Sequence, residues 1–262
     1  MIFNTKKLKI TSLLLLAATL SFGQSNTSAL LPLPNRIEQM TGKKNFVLTP
    51  RTTVKTNLPK QAFCLFELQR ILGERTGQVA DIGAPSTSGN SVIEIELDSS
   101  IKGKEHYMLD ISEKKLSIKG SSHAALFYGL KTLDQILLGD VCNTANNQIA
   151  PIRIDDEPRY GYRALMLDPA RHFLPIEDVK FYINQMAKYK YNVLQLHLTD
   201  DQGWRVEIKK HPKLTEIGAF RNPKTGSNGP DNGFYTQEQL KDLIKYAADR
   251  NVEIIPELDI PG

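Results

Sequence analysis

The sequence predicts an α/β protein in two units. A smaller α+β sheet-and-helix domain spans 24–156, and the start of a (β/α)8 barrel spans 157–262, with about three of the eight strands present. Three observations lead there. Beyond Pro158 the rhythm turns to strand, helix, strand, helix, strand, with near-continuous apolar strands that suit a buried parallel sheet. Each of those strands ends in ionisable residues, as strands do on the functional rim of such a barrel. The earlier region instead alternates polar and apolar residues between two helical stretches.

Composition is that of a folded chain. Of 262 residues, 40% are hydrophobic and 24% charged, which argues against a long disordered tract. The net charge of +4 is small, and no basic stripe carries interleaved aromatics, so nucleic acid is not an indicated partner. Lys6, Lys7 and Lys9 precede an apolar core from Ile10 to Leu20, and Ser21-Phe22-Gly23 supplies a small-residue cleavage site. Residues 1–23 therefore read as a signal peptide, with export to the periplasm or beyond and no membrane span after cleavage. Export would permit a disulfide between Cys64 and Cys142, but Cys64 sits among Leu65 and Leu68, where a buried free thiol is expected.

In the first unit, Pro32 and Pro34 open an extended segment, and Phe46–Leu48 and Thr52–Val54 are short strands. Gln61 to Leu72 is an amphipathic helix stopped by Gly73. Ala84 to Asn90 is a loop. Val92 to Leu97 is a strand, and His106–Ile111 with Leu116–Ile118 forms a hairpin around Ser112-Glu-Lys-Lys115. Ser121 or Ser122 caps a helix carrying Leu126, Leu130, Leu133 and Leu137, ended by Gly139 and Asp140. His123 and Glu105 read as structural or solvated. Pro151 to Pro158, with Asp155, Asp156 and Glu157, reads as a polar joint.

In the second unit, Arg163–Leu167 is a strand ending in Asp168, with Arg171 and His172 just beyond. Pro175 starts a helix with Ile176, Val179, Ile183 and Met186 inward. Val193 to Leu198 is the second strand; Thr199-Asp200-Asp201-Gln202-Gly203 then turns, and Trp204 follows. The stretch from Asp201 to Thr236 is a long insertion rich in Gly, Asn and Pro, of the length that usually carries function or lacks order. Thr236 with Gln239 makes a capping box for a helix with Leu240, Leu243, Ile244 and Ala247 on one face. Val252 to Leu258 is the third strand, with Glu257 and Asp259 at its end.

Three stretches carry a family resemblance: Leu167-Asp-Pro-Ala-Arg-His-Phe173, Lys190-Tyr-Asn-Val-Leu-Gln-Leu-His-Leu-Thr-Asp-Asp-Gln-Gly-Trp-Arg205, and Ile255-Pro-Glu-Leu-Asp-Ile-Pro-Gly262. In order and spacing they resemble the family 20 glycoside hydrolases, the β-N-acetylhexosaminidases. The region before them, led by Leu126-Phe-Tyr-Gly129, is similar to the domain that precedes the barrel in that family. The resemblance implies retaining hydrolysis of a terminal N-acetylhexosamine in which the substrate's own acetamido oxygen attacks C1, an exception to the two-carboxylate rule. It implies a glycan as substrate and no cofactor.

Carried over by position, Arg171 resembles the arginine that binds the sugar hydroxyls, a role that suits a guanidinium fork. Asp200 resembles a member of the network supporting the acid/base. Asp168, His172, His197, Asp201, Glu257 and Asp259 are motif members around these, and Trp204 is either a rim aromatic or core. The family's Asp-Glu catalytic pair follows a fourth strand, beyond Gly262, so the chain reads as the N-terminal portion of a longer enzyme and as inactive alone. A metal-dependent hydrolase using His172, His197, Asp200 and Asp259 is disfavoured because His197 lies inside a strand and no His-x-His pair occurs. A non-catalytic sugar-binding protein built on the same fold remains the alternative, and the oligomeric state is open.

Overall fold

The computed structural model describes residues 30–82, 91–139, 147–221 and 231–260. The stretch expected to be an export signal, the loop expected from Ala84 to Asn90, Asp140, and Cys142 with its possible bridge lie outside them. In chain order the first unit comprises β1 (Arg36–Gln39), β2 (Phe46–Val47), β3 (Thr53–Thr56), α1 (Phe63–Thr76), β4 (Asp81–Ile82), β5 (Val92–Leu97), β6 (Tyr107–Ile111), β7 (Lys115–Gly120), α2 (His123–Gly139), β8 (Gln148–Ile149) and β9 (Ile152–Asp156).

Seven of these strands form one mixed sheet in the order β1-β9-β6-β7-β5-β3-β4. The expected hairpin is its centre, with Leu109 opposite Ile118. Period-two alternation sends Ile93, Ile95, Leu109, Ile111, Leu116 and Ile118 into the core, all fully buried. There α1 and α2 cover them, with Leu126, Leu130, Leu133 and Leu137 of α2 buried at helical spacing. Ser122 caps α2 by accepting from the Ala125 amide at 3.1 Å.

Two sequence expectations need correction here. Gly73 does not stop α1, which runs on to Thr76; Gly77, at φ +67°, closes it by donating to the Gly73 carbonyl. A glycine ends a helix only where a left-handed residue is needed, and four more residues fit the helix first. The polar joint is in large part sheet, because Ile152–Asp156 is an interior strand paired with β1 and β6 on its two edges. Cys64 is a buried free thiol in the first turn of α1, pushed up to about 12 by desolvation and by the neighbouring Glu67.

The second unit comprises β10 (Ala164–Leu167), α3 (Ile176–Lys188), β11 (Val193–Asp200), β12 (Gly203–Trp204), α4 (Lys213–Glu216), α5 (Gln237–Ala248) and β13 (Glu253–Leu258). Strands β10 and β13 flank β11 and run parallel to it. Val179, Ile183, Met186, Leu194, Leu196 and Leu243 form its core. The capping box closes α5 in both directions, Gln239 amide to Thr236 Oγ1 at 3.1 Å and Thr236 amide to Gln239 Oε1 at 2.9 Å.

Here too the structure departs from the sequence expectation. Strand β11 runs to Asp200, two residues past Leu198, because β12 folds back on it as a tight hairpin with Thr199 opposite Trp204. The long insertion is ordered over much of its length: it contributes β12, α4 and a bridge between Val206 and Tyr235. Of the apolar residues expected on one face of α5, Leu243 and Ala247 are buried, whereas Ile244 is 53% exposed. Ile255 and Leu258 of β13 are exposed as well. No helix among the described residues is long and apolar enough to cross a membrane.

A buried polar seam joins the two units. Lys190, 1% exposed, donates to Tyr107 Oη at 2.8 Å and to Asp156 Oδ2 at 2.9 Å. Burial lowers the Lys190 pKa and Asp156 opposes that shift. Beside it Arg163 grips Glu105 with two parallel bonds of 2.8 and 3.0 Å and also donates to Tyr128 Oη. Glu105 is thus structural. Removing one partner of a buried pair strands the other. Lys190→Ala is expected to cost about 3 kcal/mol in urea denaturation, and Lys190→Met combined with Asp156→Leu to recover most of it. A single-variant cost below about 1 kcal/mol would mean that the seam is no clamp.

Candidate active site

The candidate rim is assembled from the C-terminal ends of β10, β11 and β13. As β10 ends, Asp168 starts a tight turn: its Oδ1 accepts from the Arg171 amide at 3.0 Å, and its carbonyl from the His172 amide at 3.3 Å. This turn aims Arg171 across to the neighbouring strand. Its guanidinium donates to Asp168 Oδ2 at 2.8 Å and lies 2.7 Å from Asp200 Oδ2, yet the side chain stays 52% exposed. A cation tethered by two carboxylates but open to solvent is oriented for a ligand.

Asp200 is the hub of the cluster. Its Oδ2 meets both Arg171 and His197 Nε2, the latter at 2.9 Å, and its Oδ1 accepts from the Asp201 amide at 2.7 Å. The hydrogen bond from His197, those from Asp201 and the charge of Arg171 hold its pKa at about 2. Asp168 is also held below the usual carboxylate range: burial opposes this, but the Arg171 backbone and side chain outweigh it. At neutral pH both therefore carry full charge.

On β13, Glu257 Oε2 accepts from Gln195 at 2.7 Å and lies 3.3 Å from His197 Nδ1. Asp259 is pinned to β11 through its backbone: its amide donates to Thr199 Oγ1 at 2.7 Å, and that hydroxyl donates to its carbonyl at 3.1 Å. The β11–β13 register shifts between His197 and Thr199, as sheets often do beside functional groups.

The structure brings Asp168, Arg171, His197, Asp200 and Glu257 into one network. His172 lies outside it, with its ring toward Asp231 at 3.1 Å and its side chain 77% exposed. Asp201 is exposed at the hairpin tip. Trp204 is half-buried; its Nε1 donates to the Val206 carbonyl at 2.7 Å, and it lines a cavity of about 730 Å³ with His211, Leu214 and Ile217. Of the two alternatives for Trp204, the cavity favours the rim. His197, Asp200 and Asp259 each offer one donor atom within 4.8 Å of the others. A metal ion there would have to displace Arg171 from Asp200.

Sequence reasoning passed over Arg205, which is fully buried. Nε donates to the Pro169 carbonyl at 2.9 Å and Nη2 to Ala170 at 3.0 Å; Nη1 reaches Ala219 at 2.9 Å and Gly233 at 3.1 Å. Its guanidinium also sits over the Phe173 ring. Its flanks gave no signal: an arginine between Trp204 and Val206 reads as the solvent-facing member of an alternating stretch.

Gly203 lies against that guanidinium, and a Cβ there would fall well inside van der Waals contact with it. Because four carbonyls fix Arg205, it cannot swing aside. Gly203→Ala is expected to cost about 1–3 kcal/mol in urea denaturation, and unchanged stability would show the guanidinium to be mobile.

The family model for "Glycosyl hydrolase family 20, domain 2" matches residues 27–157, and that for "Glycosyl hydrolase family 20, catalytic domain" matches 160–262. A beta-hexosaminidase of Porphyromonas gingivalis is 37% identical over 89% of this chain and 30% of its own length. One from Vibrio furnissii is 38% identical over 90% of this chain and 38% of its own. The Streptomyces plicatus N-acetyl-beta-hexosaminidase in complex with thio-NAglucal superposes with a TM-score of 0.77 at 34% identity, over 90% of this chain and 47% of that one. The GH20 exo beta-N-acetylglucosaminidase of Vibrio harveyi in complex with N-acetylglucosamine gives 0.72 at 34%, over 90% and 37%. The chain thus spans about a third of these curated relatives and under half of these solved enzymes. With family models matching both units in sequence order, the chain belongs to glycosyl hydrolase family 20.

Proposed function

We propose that the protein carrying this chain is an exported β-N-acetylhexosaminidase that removes a terminal, non-reducing N-acetylhexosamine from glycans. The observation that carries this reading is Arg171: a half-exposed guanidinium, anchored by Asp168 and Asp200 at the ends of two adjacent parallel strands. Its fork suits two vicinal hydroxyls: Asp168 holds Nη1 and Asp200 holds Nη2, and each nitrogen carries a second N–H. In this reading β10, β11 and β13 are the opening strands of a (β/α)8 barrel, and 24–156 is the domain before it.

Mechanistically, the chain supplies the grip on the sugar ring, and Asp200 supports the catalytic acid from beside it. The substrate's 2-acetamido oxygen is the nucleophile at C1, so no enzyme carboxylate forms a bond to the sugar. By family resemblance, the acid/base Glu and the Asp that orients the acetamido group lie beyond Gly262.

In the full-length protein, Arg171→Lys is expected to lose roughly 2–4 kcal/mol of transition-state stabilisation on an aryl N-acetyl-β-glucosaminide. Near-normal kcat/KM would overturn the role of Arg171. The nucleophile is tested separately: a thiazoline analogue of N-acetylglucosamine should inhibit competitively, because it mimics the cyclic intermediate. Efficient hydrolysis of the matching plain glucoside, which lacks the acetamido group, would refute the mechanism.

A further inference from the structure

We propose that His197 is a positioning residue for Arg171: wedged as an imidazolium between Asp200 and Glu257, it fixes the carboxylate that holds the arginine and makes the grip on the sugar proton-linked. The sugar part of this inference rests on the proposed hexosaminidase reading; the positioning part does not.

His197 is 5% exposed on the central strand β11. Both of its ring nitrogens face carboxylate oxygens, Nε2 with Asp200 Oδ2 at 2.9 Å and Nδ1 with Glu257 Oε2 at 3.3 Å. An ionised carboxylate only accepts, and a neutral imidazole donates from one nitrogen only. In the neutral tautomer that donates to Asp200, the Nδ1 lone pair lies 3.3 Å from the Glu257 carboxylate; protonation turns that repulsion into an ion pair while keeping the bond to Asp200.

The charged groups around the ring come from every strand end packed there: Asp168 and Arg171 after β10, Asp200 on β11, Glu257 on β13 and Asp259 beyond it. Burial opposes the ring's charge, but the Asp200 bond and the Glu257 and Asp168 charges outweigh it and raise the pKa above the ordinary 6.5.

The consequence passes through one atom. Asp200 Oδ2 is shared between His197 and Arg171, while Oδ1 is held by the Asp201 amide. With His197 charged, Asp200 is locked about its side-chain torsions and presents a fixed anchor. With His197 neutral, its Nε2–H can still donate to Asp200, but the positive charge between Asp200 and Glu257 is gone, and Asp200 is held less firmly behind Arg171. Because the folded-state pKa is raised, this support is complete below pH 6.5 and is lost as pH rises through the raised value.

The test follows the His197 ring and the Arg171 Nε by NMR across a pH series in the full-length protein, in parallel with the affinity for N-acetylglucosamine. The two signals should share a midpoint above 6.5. Affinity should fall by about tenfold across the same step. His197→Gln keeps a donor toward Asp200 but cannot titrate, so the Arg171 step should vanish and affinity should become flat with pH. A merely structural histidine would lower stability on substitution and leave the pH dependence in place. A His197 midpoint at or below 6.5, an Arg171 signal that ignores it, or sugar binding flat with pH in the unaltered protein would each overturn the proposal. Absence of sugar binding at every pH would overturn the hexosaminidase reading alone, because the two NMR signals still judge the positioning.

Discussion

The rim depends on a buried positive charge to which no carboxylate among the described residues is bonded. Arg205 is enclosed by protein, and its guanidinium is neutralised by four backbone carbonyls from three segments: Pro169 and Ala170 after β10, Ala219 after α4, and Gly233 before α5. Burying an ion costs several kcal/mol unless its donors are met, and here carbonyl dipoles meet them. The segments so bound lie outside the helices and strands, with the Gly233 amide also donating to the Ala219 carbonyl at 3.2 Å. Its own backbone adds to the tie, donating to Leu198 and accepting from Tyr235. Arg171 is one residue beyond Ala170, so the candidate sugar-binding arginine starts from a position that Arg205 determines.

The strands divide their labour between their two ends. At the N-terminal ends, Arg163 precedes β10 and Lys190 precedes β11, and both are sunk into the seam with Glu105, Tyr107, Tyr128 and Asp156 of the first unit. At the C-terminal ends the same strands deliver Asp168 and Asp200 to solvent and to Arg171. Stability at one face and chemistry at the other is the arrangement expected of barrel strands. It gives the first unit a physical task, to hold the register from which the rim projects. The rim charges differ from the seam charges in kind: Lys190 is sealed, whereas Arg171 is half exposed and can exchange water for a ligand.

Much of this was readable from residue order. Ile93, Ile95, Leu109 and Ile118 announced the first sheet by alternation, and Thr236 with Gln239 announced α5 by its capping chemistry. Asp168, Arg171, His197, Asp200 and Glu257 were all singled out, and they meet. What could not be read depends on partners distant in sequence. Asp156 looks like a linker residue until β1 and β6 pair around it and Lys190 reaches it. Asp200 looks like a turn residue until β12 extends the strand. His172 shares a motif with Arg171, but the turn that aims one inward sends the other outward to Asp231. Gly73 misled because a helix stops where the left-handed residue is needed, and that was Gly77.

The most direct measurement of the sugar-binding role is a crystal structure of the full-length protein soaked with N-acetylglucosamine. The predicted result is a pyranose ring at the ends of β10 and β11, with two vicinal hydroxyls within hydrogen-bond distance of the Arg171 guanidinium and with Asp168 and Asp200 still holding that side chain from behind. A sugar bound elsewhere, with Arg171 still closed on its two carboxylates and touching no ligand, would contradict it.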